Sequence, residues 1–112
     1  MLKKEVIKAK IRDLLKSLFQ ERNIEVNKIV LFGSIVKGDI KKESDIDIII
    51  VSKDFRRKDI FERVKLATGV GRELVKQIKM PFDLMYYSDK EWENENSLII
   101  DEAKTKGEII YG

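Results

Sequence analysis

The stretch Lys28-IVLFGSIVKGDIKKESDIDIII-Val51 decides the fold. Lys28 to Phe32 is short, β-branched and aromatic, which predicts a strand. Gly33 breaks it. Ser34 to Lys37 has the length of one helical turn, ending at Gly38. Asp39 to Ser44 is a polar connection, and Asp45 to Val51 is a second strand whose latter half is wholly apolar. Side chains alternate along a strand, so Asp45 and Asp47 share one face, with Cα atoms roughly 6.6 Å apart at ordinary rise. Ile46, Ile48 and Ile50 take the other face.

Two neighbouring carboxylates repel, and burying them unpaired is costly. A divalent cation relieves both problems, and Mg²⁺ favours a few carboxylates together with water and phosphate oxygens. The Gly33-Ser34 step supplies a complement. A strand that ends in Gly-Ser and enters a helical turn presents free backbone N–H groups and a hydroxyl, a setting that attracts phosphate. Gly33 permits close approach of backbone to ligand. Asp83, in PFDLMYY, is a third charge inside an apolar segment. If its strand lies beside the second, Asp83 reaches the same face. Three carboxylates then suit a pair of metal ions roughly 3.5–4 Å apart. Asp83 is the natural group to draw a proton from an attacking hydroxyl, or to help hold the metal that activates it.

Outward from this stretch, residues 2–22 read as an amphipathic helix with Val6, Ile7, Ile11, Leu14, Leu15, Leu18 and Phe19 at helical spacing, stopped near Asn23. Lys53 to Lys58 is a charged loop. Asp59 to Lys79 reads as one long helix, buried through Ile60, Phe61, Val64, Ala67, Val70, Leu74, Val75 and Ile78, with Gly69 and Gly71 weakening its middle. Pro81 blocks further helix, and Phe82 to Tyr87 is a third strand. Ser88 caps a final helix with Trp92, Asn96, Ile99, Ile100 and Ala103 on one face. Gly107 ends it, and EIIY adds a short strand. The fold class is α+β, a two-layer arrangement of a small mixed sheet flanked by helices.

The 112 residues suit one domain spanning 1–112. There is no cysteine and no histidine. Disulfides, thiolate sites and His-ligated zinc are therefore excluded, and acid–base work falls to Asp, Glu, Lys, Arg, Ser or Tyr. The net charge of +3, from 23 basic and 20 acidic residues, describes a balanced charged surface rather than a polybasic one. The N-terminal segment lacks the apolar core of a signal peptide, and no apolar run reaches the roughly 20 residues of a membrane span. The expectation is a cytoplasmic protein without membrane contact.

Gly33-Ser34, ten residues, Asp45-x-Asp47 and a later strand Asp83 together resemble the nucleotidyltransferase superfamily of DNA polymerase beta, and within it the minimal nucleotidyltransferases, or MNT domains. The resemblance covers nearly the whole chain. It implies a nucleotidyltransferase fold in which Asp45, Asp47 and Asp83 are the catalytic, Mg²⁺-binding acids. Gly33 and Ser34 hold the triphosphate of a nucleotide such as ATP. Many MNT proteins are antitoxins paired with a helical HEPN-domain toxin, and some transfer AMP onto a tyrosine of that toxin. Relatives often carry arginines after Gly-Ser. Here the positions are Ile35, Val36 and Lys37, and Lys37 supplies a point charge in place of a bidentate fork.

The plainer readings stand beside these. Asp-x-Asp alone would be a pair of surface acids, and Gly-Ser alone an ordinary turn. Ser44 either caps the turn before Asp45 or contacts nucleotide. Lys37, Lys41 and Lys42 suit a solvated loop as well as a phosphate site. FRRK, Phe55 to Lys58, is a charged loop or a basic rim. Trp92, Tyr86 and Tyr87 read as packing residues, and Tyr111 as packing or an interface anchor. Three functions follow. The first is a Mg²⁺-dependent transfer of a nucleoside monophosphate to a HEPN toxin tyrosine, suggested by the resemblance and by the lack of an acceptor domain. The second is a non-catalytic antitoxin that occludes the same partner. The third is a free-standing transferase acting on a small molecule or nucleic acid. Nucleic-acid binding and oligomerisation stay open.

Overall fold

A computed structural model describes residues 3–37 and 45–112, with the side chains of Ser34 and Lys37 outside that description. Lys4–Glu21 form helix α1, whose stripe of Ile7, Ile11, Leu15, Leu18 and Phe19 is buried. The helix stops where Asn23 turns to a φ of 56°, a conformation asparagine tolerates better than most residues. Strand β1 is Lys28–Phe32, the single turn α2 is Ser34–Lys37, and strand β2 is Ile46–Val51. A 3₁₀ turn over Lys53–Phe55 follows. Then come α3 (Ile60–Leu66), α4 (Val70–Ile78), β3 (Phe82–Tyr87), α5 (Asp89–Asn94), α6 (Leu98–Lys106) and β4 (Glu108–Tyr111).

The sheet order is β3-β2-β1-β4. β1 runs antiparallel to β2 and to β4, while β2 runs parallel to β3. The sheet is therefore mixed, as expected. Central β2 is buried on both faces, which explains its nearly unbroken isoleucine run. Ile46, Ile48 and Ile50 join Ile29 and Leu31 in the larger core, which takes in the buried stripes of α1 and α4. Ile49 and Val51 join Val30, Phe32, Trp92, Ile100 and Ala103 in a smaller core beneath α5 and α6. Tyr86 packs edge-on against Phe19 and Phe55, and its burial pushes the phenol up to about 12. Tyr86, Tyr87 and Trp92 are thus packing residues.

Two expectations need correction. The span from Asp59 to Lys79 is not one helix. α3 closes at Ala67, and Gly69 takes a φ of 88° before α4 restarts. A left-handed residue cannot continue a right-handed helix. The break frees α3 from the stripe that α4 buries through Val70, Leu74 and Ile78: Ile60, Phe61 and Val64 are 68%, 82% and 53% exposed, and within α4 itself Val75 lies off that stripe, 44% exposed. The final helix is also broken. Glu95 is extended, and Ser97 starts α6 afresh with its hydroxyl accepting from the Ile100 N–H. Asn96 and Ile99 accordingly lie exposed rather than on the buried face.

Polar devices fix the short helices. Asp59 and Glu62 form a reciprocal capping box on α3, and Ser88 and Glu91 form another on α5. α3 buries no residue of its own. Its anchor is Arg63, which donates to the Tyr86 carbonyl at 2.9 Å and pairs with Glu91 at 2.7 Å. The Arg63 Nε is buried without a partner. Replacing Arg63 by Met should leave Glu91 and the Tyr86 carbonyl uncompensated and cost about 2 kcal/mol. Urea unfolding of Arg63→Met, Glu91→Gln and the double variant checks this, with the double variant losing clearly less than the two single losses added together.

Candidate active site

The candidate site is built where β1 ends. Phe32 lies opposite Asp47 in the antiparallel pair, and Asp47 lies beside Asp83 in the parallel pair. Alternation puts Asp47 on the face of Ile49 and Val51, above the smaller core and toward α6. Asp83 shares that face by register. Asp45 lies just before β2, two residues from Asp47 and on the same side by alternation. Asp47 is half-buried, whereas Asp45 and Asp83 are exposed.

Gly33 is the hinge of this arrangement. Its φ is 82°, and a β-carbon there would collide with the Asp47 Oδ2. Glycine is thus required twice, once by the backbone conformation and once by the carboxylate in the space a side chain would take. The turn α2 springs directly from it, with the Val36 N–H donating to the Gly33 carbonyl. Ile35 is fully buried in the larger core, and Val36 packs against that core. The two positions after Gly-Ser therefore serve packing.

Burial pushes the Asp47 carboxyl above its ordinary range, and the charges of Asp83, Asp45 and Glu102 push the same way. Glu102, an exposed residue of α6, was missed in the sequence because nothing near it in the chain marks it. It reaches the acids only through the packing of Ile100 and Ala103 on the sheet. Lys4 was missed likewise. Its Nζ donates to the Val36 carbonyl at 3.0 Å, bringing a cation from α1 to the end of the turn. Among the described residues no three acids already converge as a ligand set. The donor chemistry nevertheless fits a hard divalent cation: carboxylate oxygens of one sign, crowded enough to raise Asp47, and open to solvent at Asp45 and Asp83. Of the remaining expected residues, Ser44 lies outside the described residues, as do the side chains of Ser34 and Lys37.

The chain matches the profile of the nucleotidyltransferase domain family over residues 8–107. A candidate protein adenylyltransferase of Methanocaldococcus jannaschii is 44% identical over 41 residues, which make up 37% of this chain and 41% of that protein. The match thus spans well under half of that relative. A solved toxin–antitoxin structure with AMP-PNP superposes with a TM-score of 0.64 at 22% identity, covering 89% of this chain and 72% of the other. A complex of tri-AMPylated Shewanella oneidensis HEPN toxin with MNT antitoxin gives 0.62 at 21% identity, covering 98% and 73%. At these identities the two structures speak for the fold. The family match covers most of the chain, and the chain belongs to the nucleotidyltransferase domain family.

Two outcomes are expected from the geometry. Gly33→Ala should cost about 1–2 kcal/mol for the left-handed backbone alone, and more as Asp47 is displaced; thermal unfolding measures it. For Asp47 the sign follows from its raised folded value. Its contribution to stability is fully present below the unfolded value near pH 4 and is lost as pH rises through the folded one. Asp47→Asn should therefore raise the Tm of the chain in chelator at pH 7, with the gain shrinking as pH falls toward about 4.

Proposed function

We propose that this domain transfers a nucleoside monophosphate, AMP from ATP, onto a hydroxyl. We assign the acceptor to a tyrosine of a helical HEPN partner, which makes the chain the antitoxin of a toxin–antitoxin pair. One observation carries the reading. Asp47 is held against Gly33 and in register with Asp83, so a carboxylate group and a turn able to receive phosphate form a single unit. The family match, the adenylyltransferase relative and the AMPylated HEPN complex among the structural neighbours support it.

In this reading the Gly33-Ser34 turn offers its N–H groups to the triphosphate, with Lys37 and Ser44 as further contacts. Asp45, Asp47 and Asp83 would hold Mg²⁺, which when bound neutralises phosphate charge and lowers the barrier to attack on the α-phosphorus. The acceptor oxygen bonds to the α-phosphorus, the bond to the β-phosphate bridging oxygen breaks, and pyrophosphate leaves. Asp83, the exposed acid of the edge strand, takes the hydroxyl proton. Lys4 fixes the end of the turn from α1.

A second reading rests on Ile35. Ile35 is fully buried and Val36 packs against the core, so neither of these positions after Gly-Ser offers an arginine to phosphate, which favours an antitoxin that neutralises its partner by occlusion alone. Titrating ATP into the chain with and without Mg²⁺ should show metal-dependent binding, lost in the Asp45→Ala, Asp47→Ala variant. Mixing the chain with a HEPN partner, ATP and Mg²⁺ should add AMP to a partner tyrosine, read by mass spectrometry. Absence of any adduct, with the Asp45→Ala, Asp47→Ala variant still neutralising the toxin fully, would move the assignment to occlusion.

A further inference from the structure

Lys4 stands where local preference argues against it. It is the first residue of α1, and a cation at a helix N-terminus opposes the helix dipole. Lys3, the N-cap before it, makes no side-chain cap. What Lys4 gains lies elsewhere in the fold. Its Nζ donates to the Val36 carbonyl at 3.0 Å, 32 residues along the chain. Val36 belongs to the four-residue turn α2, and so short a turn does not hold itself. The last carbonyls of a helix have no partner within it and need an outside donor. A cation that is misplaced at the start of α1 is well placed at the end of α2.

One helical turn further on, Lys8 occupies the same side of α1. Among the described residues it is the one charged side chain that is buried. Its ammonium donates to the Glu108 carboxylate of β4 and, at 3.4 Å, to Glu5. Burial alone would push the Lys8 ammonium down, but Glu108 and Glu5 turn the balance upward, so the group stays charged. Glu108 pairs with Leu31 in the sheet, two residues before Gly33. The ion pair is therefore made beside the end of β1 from which the turn springs. Buried ion pairs add little net stability, and their best-attested use is to fix register. Apolar packing is non-directional, whereas the Lys8–Glu108 bond fixes where α1 lies along the sheet. We propose that Lys8 and Lys4 act together as a positioning device for the nucleotide turn: Lys8 sets α1 against β4, and Lys4 holds α2 by its Val36 carbonyl. α1 is then a working part of the site, although it contributes none of the three acids. The inference rests on the reading of the Gly33-Ser34 turn as the seat of the triphosphate.

Two readouts on the full chain tell positioning from ordinary stabilisation. The first is amide hydrogen exchange, which needs no nucleotide. Lys4→Met keeps the stem and removes the cation. It should speed exchange at the Ile35 and Val36 amides about fivefold or more, with β1 and β2 still protected. The urea midpoint should stay level or rise, because α1 loses an unfavourable charge. Lys4→Arg should restore protection. Lys8→Met with Glu108→Met removes the ion pair without leaving a lone buried charge, and should also speed exchange in the turn. The second readout is calorimetric titration with MgATP, which Lys4→Met should weaken about tenfold and Lys4→Arg should recover. Unchanged exchange in the turn overturns the proposal. So does a loss of protection spread evenly over the sheet, or equal MgATP affinity in Lys4→Met and the unaltered chain. Failure of the unaltered chain to bind MgATP would sink the nucleotide reading instead, and the positioning device would then stand or fall on exchange alone.

Discussion

Everything at the candidate site depends on one steric vacancy, the missing β-carbon of Gly33. The Asp47 carboxylate occupies that space. A carboxylate half-removed from water and pressed by three other negative groups would ordinarily swing to solvent. The sheet prevents this by holding Asp47 between Phe32 on one side and Asp83 on the other. The chain thus sets an unfavourable charge arrangement on a central strand buried on both faces, and the surrounding hydrophobic packing offsets the cost. A cation would lower this repulsion, which is the chemical basis of the metal role proposed for the three acids.

The two faces of the sheet divide the work. The larger core, with α1 and α4, is the principal source of burial and has no acid of the cluster on its side. The smaller core, beneath α5 and α6, leaves the end of the sheet open where Asp47 and Asp83 stand. The turn after Gly33 is tied to the larger core, with Ile35 fully buried there and Val36 packed against it. Lys4 joins the two by reaching from α1 to the Val36 carbonyl.

How much of this could be read in the sequence follows from the range of the interactions. The strands and the Gly33 turn were legible because alternation, β-branching and glycine act locally. The α+β class and the pairing of Asp47 with Asp83 also came through, since a charge set inside an apolar run is costly unless a partner or ligand meets it. The two long helices were misjudged because helical periodicity continues through Thr68-Gly69 and through Glu95-Asn96, while the backbone does not. Burial of Ile60, Phe61 and Val64 was expected from spacing alone. Spacing identifies an apolar stripe, but does not say whether anything covers it. Glu102 and Lys4 were invisible because they approach the site only through tertiary packing.

The parallel pairing of β2 with β3 has a kinetic consequence. The two strands that carry Asp47 and Asp83 are separated by the 3₁₀ turn, α3 and α4. Their contact closes a long crossover, which is slow compared with forming a hairpin or a helix turn. The acid constellation therefore forms through a non-local contact, unlike the pairing of β1 with β2 that brings Asp47 beside Phe32. A partly unfolded molecule holds Asp45, Asp47 and Asp83 without the register that sets Asp47 beside Asp83.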